Sequence, residues 1–307
     1  MMKLWIYLVS IACLMACNTS IKKEVSLCGQ IKNPLGKNVV LDVCGQDSVF
    51  EASLDAGGRF VFKVEIPDGK YVRLLNGKAA FPLYLAPGME IELEMDAQKV
   101  KEGNYTSVIF GKGSNKETQM MAHYYEHQWF PSSQEMFSQE PVDYRKLLEA
   151  VVNHNDSIID VFLKKDAGKY DQKFVELFKL QVKVPLAVSC FYYPTYHSLL
   201  VQGNAAEQPE YIDVFDTMLP KNNREIYNNV YRYKTYEVAY WNHIVAESLA
   251  DVAEEDIVNV YFDKLKELNV LPEIRRDAAR IFFTQEVTGL SQIEKDLIKK
   301  RIEELEE

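Results

Sequence analysis

From residue 25 to residue 113, hydrophobic and polar positions alternate with a period of two, and turn residues interrupt the alternation every few positions. Val25, Leu27 and Ile31 alternate with Ser26, Cys28 and Gln30, and Asn33-Pro34-Leu35-Gly36 then turns the chain into Val39, Leu41 and Val43. Asp55-Ala56-Gly57-Gly58 separates residues 49–54 from Phe60, Phe62, Val64 and Ile66, which is a hairpin signal. Pro67-Asp68-Gly69 leads into residues 71–75, Pro87-Gly88 divides residues 81–85 from Ile91, Leu93 and Met95, and a last run covers residues 105–110. Seven or eight short strands between frequent turns predict an antiparallel β-sandwich, because alternation gives each strand one face to bury against a second sheet.

After Gly113 the period lengthens to about 3.6. Ser114 or Asn115 can cap a helix, with Glu117 close behind. Residues 142–166 place Tyr144, Leu147, Leu148, Val151, Ile158, Ile159 and Phe162 on one helical face. Residues 174–200 form a second apolar stretch, kinked or broken by Pro185 and Pro194. The pattern continues over 224–249, 256–268 and 272–286, and Ser291-Gln292-Ile293-Glu294 is a capping box for a final helix presenting Ile293, Leu297, Ile298, Ile302 and Leu305. The fold class is therefore α+β: an N-terminal β-sandwich over residues 17–113, then an all-α helical domain over 114–307.

Residues 1–16 are set apart from both. Lys3 is followed by an almost unbroken apolar stretch from Leu4 to Leu14, then by Met15-Ala16-Cys17. The stretch is shorter than the ~20 apolar residues of a membrane-spanning helix, so it reads as a signal peptide. A small residue before a cysteine resembles a bacterial lipoprotein box, in which the thiol of Cys17 takes the lipid and becomes the new N-terminus. Asn18, rather than aspartate, follows it, so the expected address is the outer membrane, lipid-anchored and facing the periplasm or the outside. The 35 Lys and Arg against 45 Asp and Glu give a net charge of −10, and no dense basic run offers counterion exchange to phosphates, so no nucleic-acid partner is expected. At 47% hydrophobic, the composition is that of a folded chain.

The order of the pieces carries a resemblance. The lipoprotein box, then Asp55-Ala56-Gly57-Gly58-Arg59-Phe60-Val61-Phe62, then Leu85-Ala86-Pro87-Gly88-Met89-Glu90-Ile91, and Gly111-Lys112-Gly113-Ser114-Asn115 opening the first helix, resemble the front half of TlpA-like thiol-disulfide oxidoreductase lipoproteins. The resemblance covers roughly residues 17–125 and extends loosely into the helical part. It implies an N-terminal β-domain, a helical insert and a thioredoxin domain working through Cys-x-x-Cys at a helix start, where the helix field sharpens the first thiol. Here the cysteines are 13, 17, 28, 44 and 190, and no two have that spacing. The expected role is accordingly non-catalytic binding or scaffolding, with a protein partner or a peptide or glycan ligand and no cofactor. A truncated or partner-dependent oxidoreductase is the alternative.

Three groups of residues offer other chemistry. Cys28 and Cys44 both sit in Cys-Gly-Gln contexts on strands expected to be adjacent, and are either a structural disulfide or two half-buried thiols. His123-Tyr124-Tyr125-Glu126-His127 has the form H-x-x-E-H, which resembles the zinc motif of inverzincin peptidases. In that reading His123 and His127 ligate zinc on one helical face and Glu126 acts as base rather than ligand. Glu207 is the candidate third ligand, and the sum is a zinc hydrolase. The competing reading is a helix start whose His, Tyr and Trp129 pack or face solvent. Tyrosines 192, 193, 196, 227, 231, 233, 236 and 240, with Trp241, line either a ligand groove or a helix–helix interface. Cys190, in an apolar segment, reads as a core residue.

Overall fold

The computed structural model describes residues 24–46, 48–166, 168–201, 219–253, 256–286 and 291–305. Cys13, Cys17 and Glu207 lie outside them. The chain divides into two compact units, one of residues 1–42 and 49–119 and one of residues 43–48 and 120–307.

Eight strands build the first region: β1 (Glu24–Lys32), β2 (Asn38–Val43), β3 (Phe50–Ser53), β4 (Arg59–Glu65), β5 (Lys70–Asn76), β6 (Ala79–Leu85), β7 (Glu90–Asp96) and β8 (Ile109–Lys112). They form two four-stranded sheets, ordered β4-β1-β7-β8 and β3-β2-β5-β6. Period-two alternation does what it predicts: along β4, Phe60, Phe62 and Val64 are buried while Arg59, Val61, Lys63 and Glu65 are exposed. Val25, Leu27, Leu41, Phe81, Leu83, Leu93 and Met95 join them in the core.

One pairing departs from the antiparallel expectation. β1 runs antiparallel to β4 but parallel to β7, with Leu27 opposite Ile91 and Gly29 opposite Leu93. Parallel neighbours need a long crossover, and the chain supplies one by passing through the other sheet between β1 and β7. Residues 105–107, expected in the last strand, form a 3-10 turn, and a short helix α1 (Ala97–Lys101) precedes it, capped by the Asp96 carboxylate on the N–H groups of Gln98 and Lys99. The next helix is α2 (Lys116–His127), where Asn115 Oδ1 accepts the Thr118 N–H at 2.6 Å.

The second unit continues with α3 (Ser133–Phe137), α4 (Pro141–Lys165), α5 (Gln172–Gln181), α6 (Val184–Val201), α7 (Arg224–Asn229), α8 (Tyr233–Glu247), α9 (Ile257–Glu267), α10 (Pro272–Ile281) and α11 (Gln292–Glu303). The 174–200 stretch breaks at residues 182–183, so that Pro185 falls in the first turn of α6, where a missing N–H costs nothing. Pro194 stays inside α6. The stretch 224–249 also divides, because Val230 is extended and Arg232 is left-handed at φ +60°. Tyr144, Leu148, Val151, Leu186, Cys190 and Tyr193 share one core, and Tyr261, Phe262, Phe282, Phe283 and Ile298 another. Among the described residues no helix is long and apolar enough to cross a membrane.

The capping box of the last helix is formed: Ser291 Oγ accepts the Glu294 N–H and Glu294 Oε2 accepts the Ser291 N–H at 2.7 Å. Ser291→Ala is expected to cost about 1 kcal/mol. Amide exchange measured along α11 should speed up in its first turn, and unchanged exchange there would deny the cap its role.

Candidate functional site

The first unit carries an open cleft of about 800 Å³, lined by the β1–β2 turn and by the turn between β3 and β4. Ile31, Leu35 and Leu54 give it apolar surface, and Lys37, Asn38, Ser53 and Asp55 give it polar groups. Dedicated side chains fix both walls. Asn76, fully buried at the end of β5, accepts the Leu35 N–H at 2.7 Å and donates to the carbonyls of Gly36 at 3.0 Å and Asn38 at 2.9 Å. An amide buried at that depth is tolerable only because its hydrogen bonds are made, and all three go to the β1–β2 turn. On the other wall, Asp55 Oδ1 accepts the N–H groups of Gly57 and Arg59, each at 2.8 Å. The Arg59 N–H foremost, with that of Gly57, holds the Asp55 carboxyl below the usual carboxylate range. Gln30 Nε2 donates to the Gly57 carbonyl at 2.7 Å, and Gly58 sits at φ +74° with Ile31 O 2.5 Å from where a Cβ would be, so only glycine closes this turn. The cleft is thus pre-organised before anything enters it. None of the residues lining it is aromatic.

The described cysteines, Cys28, Cys44 and Cys190, form no disulfide with one another. Of the two expected alternatives, the structure takes the one without a disulfide between Cys28 and Cys44. β1 and β2 belong to different sheets, and Cys28 faces Val61 of β4 and Glu92 of β7 instead. Cys44 falls just past the end of β2, where strand parity no longer governs it, and is buried. Cys190 is buried in the second unit, and burial pushes its thiol above the ordinary range.

His123 and His127 end on one side of α2 with their rings stacked at 4.0 Å. His123 leans against Phe162 of α4 at 5.0 Å, and the His127 Nδ1 lies 2.9 Å from the His123 carbonyl oxygen. Burial, and then the neighbouring His127, hold His123 below the usual imidazole range. Glu126 is exposed. Among the described residues no group of three His, Cys, Asp or Glu is placed to hold a metal ion; Glu207, the expected third ligand, lies outside them.

Half of the eight tyrosines are core residues of the helical unit. Tyr193, Tyr227, Tyr233 and Tyr236 are almost wholly buried, while Tyr192 and Tyr196 are about half exposed on α6. The Tyr233 hydroxyl leads to a residue that periodicity did not single out: Glu237, fully buried on α8. Its Oε1 accepts the Asn222 N–H and the Tyr233 hydroxyl, and its Oε2 accepts the Trp241 indole N–H, all at 2.6 Å. Burial raises its carboxyl above the usual range against those three donors and the Lys221 ammonium, which stands 4.3 Å over the Tyr240 ring. The sequence signal available was Tyr233, Glu237 and Trp241 at i, i+4 and i+8, which puts a lone acid inside an aromatic stripe.

No protein-family model, curated protein or solved structure matches this chain. Its function is therefore argued from its own residues.

Of the expected site residues, the structure brings His123 and His127 together and puts Cys28 on β1 and Cys44 just past β2, a strand of the other sheet. The cleft was missed because Asn76, which builds one wall, lies 38 residues along the chain from Asn38, the residue it ties down. Asp55-Ala56-Gly57-Gly58, already legible as a turn, marked the other wall.

Proposed function

We propose that this chain is a lipid-anchored envelope protein, tethered through Cys17 at the outer membrane, whose β-region holds an extended peptide segment of a partner without acting on it chemically. The leader pattern supports the tether, and the single observation that carries the binding role is the cleft with both walls fixed by hydrogen bonds from Asn76, Asp55 and Gln30. A chain tethered ahead of Glu24 enters at the start of β1, and the cleft adjoins Ile31 near its end, about 23 Å further on at the usual strand rise. The site so placed is held off the anchor. Sugar rings are gripped chiefly by aromatic faces, and the lining has none, whereas apolar pockets beside fixed turns suit alternate side chains of an extended peptide. The placement of Cys28 on β1 and of Cys44 just past β2, strands of different sheets, supports the non-catalytic half of the reading.

Two measurements test it. Metabolic labelling with a lipid precursor should mark the protein and fail on Cys17→Ser. Peptides selected from a random library on the full chain should lose at least about tenfold in affinity on Asn76→Ala, equivalent to about 1.4 kcal/mol, while the chain stays folded at a stability cost of about 1–2 kcal/mol. Equal binding by the variant would remove the cleft from the account. Sustained reduction of insulin disulfides by the purified chain would overturn the non-catalytic role.

A further inference from the structure

We propose that His123 and His127 form a two-imidazole chelate for a borderline divalent cation such as Zn(II) or Ni(II), independent of the peptide cleft and of any peptidase chemistry. Residues four apart on a helix lie one turn above the other, so both rings reach the same point beyond the helix surface. The 4.0 Å between ring centroids puts them already side by side. The second observation is the contact of His127 Nδ1 with the His123 carbonyl oxygen at 2.9 Å. A carbonyl can only accept, so in the neutral ring this nitrogen carries the proton and Nε2 keeps its lone pair, the arrangement that metal-bound imidazoles show in their outer contacts. His127 is exposed, and its Nε2 is the ring nitrogen left to face a cation. Phe162 backs the His123 ring at 5.0 Å and keeps it on this side of the helix.

Capture requires the stacked rings to swing apart so that each lone pair lies along its own bond to the ion; the His127 ring is held by its carbonyl, so His123 makes the larger movement. Among the described residues no third His, Cys, Asp or Glu joins them, which leaves the remaining coordination positions to water. Such a site exchanges its ion readily and ranks metals by the general order, Ni(II) and Zn(II) above Mn(II).

The test is calorimetric titration of the full chain with NiCl2 and with ZnCl2, paired with nitrogen NMR of the histidine rings. One equivalent should bind, with the signals of both His123 and His127 shifting or broadening. His123→Ala and His127→Ala should each lower the affinity at least about tenfold, the scale on which metal sites respond to lost support. His154→Ala and Cys28→Ser should leave it unchanged. Should an alanine variant lose helicity by circular dichroism, His127→Gln replaces it, keeping a helix-compatible side chain without an imidazole. Absence of binding, or binding that survives the loss of either histidine, overturns the proposal.

Discussion

Glu237→Ala is expected to lower the unfolding free energy by about 2–4 kcal/mol in urea titrations. The carboxylate is fully buried and receives the Asn222 N–H, the Tyr233 hydroxyl and the Trp241 indole N–H. Removing the acceptor takes it from the half-buried Asn222 N–H and Trp241 indole N–H, each at a cost of about 1–3 kcal/mol, partly offset by recovering the burial cost of the charge itself, while the Tyr233 hydroxyl still has the Pro220 carbonyl to donate to. Asn222 amplifies the effect. At φ +54° it is itself in a left-handed conformation, and its side chain donates to the Asn269 carbonyl and accepts the Leu271 N–H, so the turn it anchors fastens the segment before α7 to the start of α10. Glu237→Gln isolates the electrostatics. The carboxyl of Glu237 is raised above its ordinary value, so between that ordinary value and the raised one folding takes up a proton. Wild-type stability should therefore fall as pH rises through that window, relative to Glu237→Gln, which has no proton to exchange. Parallel curves for the two proteins would contradict the burial assigned to this group.

Gly29→Ala is expected to cost about 3 kcal/mol, the upper part of the range for overpacking. Gly29 lies in the middle of β1, paired with Phe60 of β4 on one side and Leu93 of β7 on the other. A Cβ there would stand 2.1 Å from the Leu93 carbonyl oxygen. That oxygen belongs to backbone, which cannot rotate away, so the methyl group must push apart the β1–β7 pair at the centre of its sheet. Thermal unfolding followed by circular dichroism measures the loss. The same change at Gly103, where nothing lies within 4 Å of the added carbon but φ is +90°, separates clash from backbone strain. A Gly29 variant no worse than the Gly103 variant would mean that the strands part easily.

Much of the architecture was legible before any contact was known. The β4 alternation, the Ser291 capping box and the long helix from Pro141 are local statements, in which a residue's fate depends on neighbours two, three or four positions away. Prediction went astray where a local pattern had to be extended. Arg232 and Val230 interrupt a stretch whose periodicity never falters, because the tyrosines on both sides bury from two different helices. Residues 105–107 carry strand-like composition but turn after the cap set by Asn104. The candidate site was less legible still: of the cleft, only the two turns, residues 33–36 and 55–58, could be read, and Asn76 looked like any polar residue at a strand end.

The sequence alone determined the change from sheet to helix near residue 113, the inward face of most strands and helices, and the absence of a Cys-x-x-Cys dithiol. Those are properties of periodicity and spacing, which the chain carries with it whether folded or not. Tertiary structure decided that β1 lies parallel to β7, that Cys28 and Cys44 sit in or beside different sheets, that Asn76 holds the far turn of a cleft, and that one carboxylate is enclosed among tyrosines. Each depends on which distant segments become neighbours, and that choice is set by the packing of the whole core, which no short stretch of sequence contains.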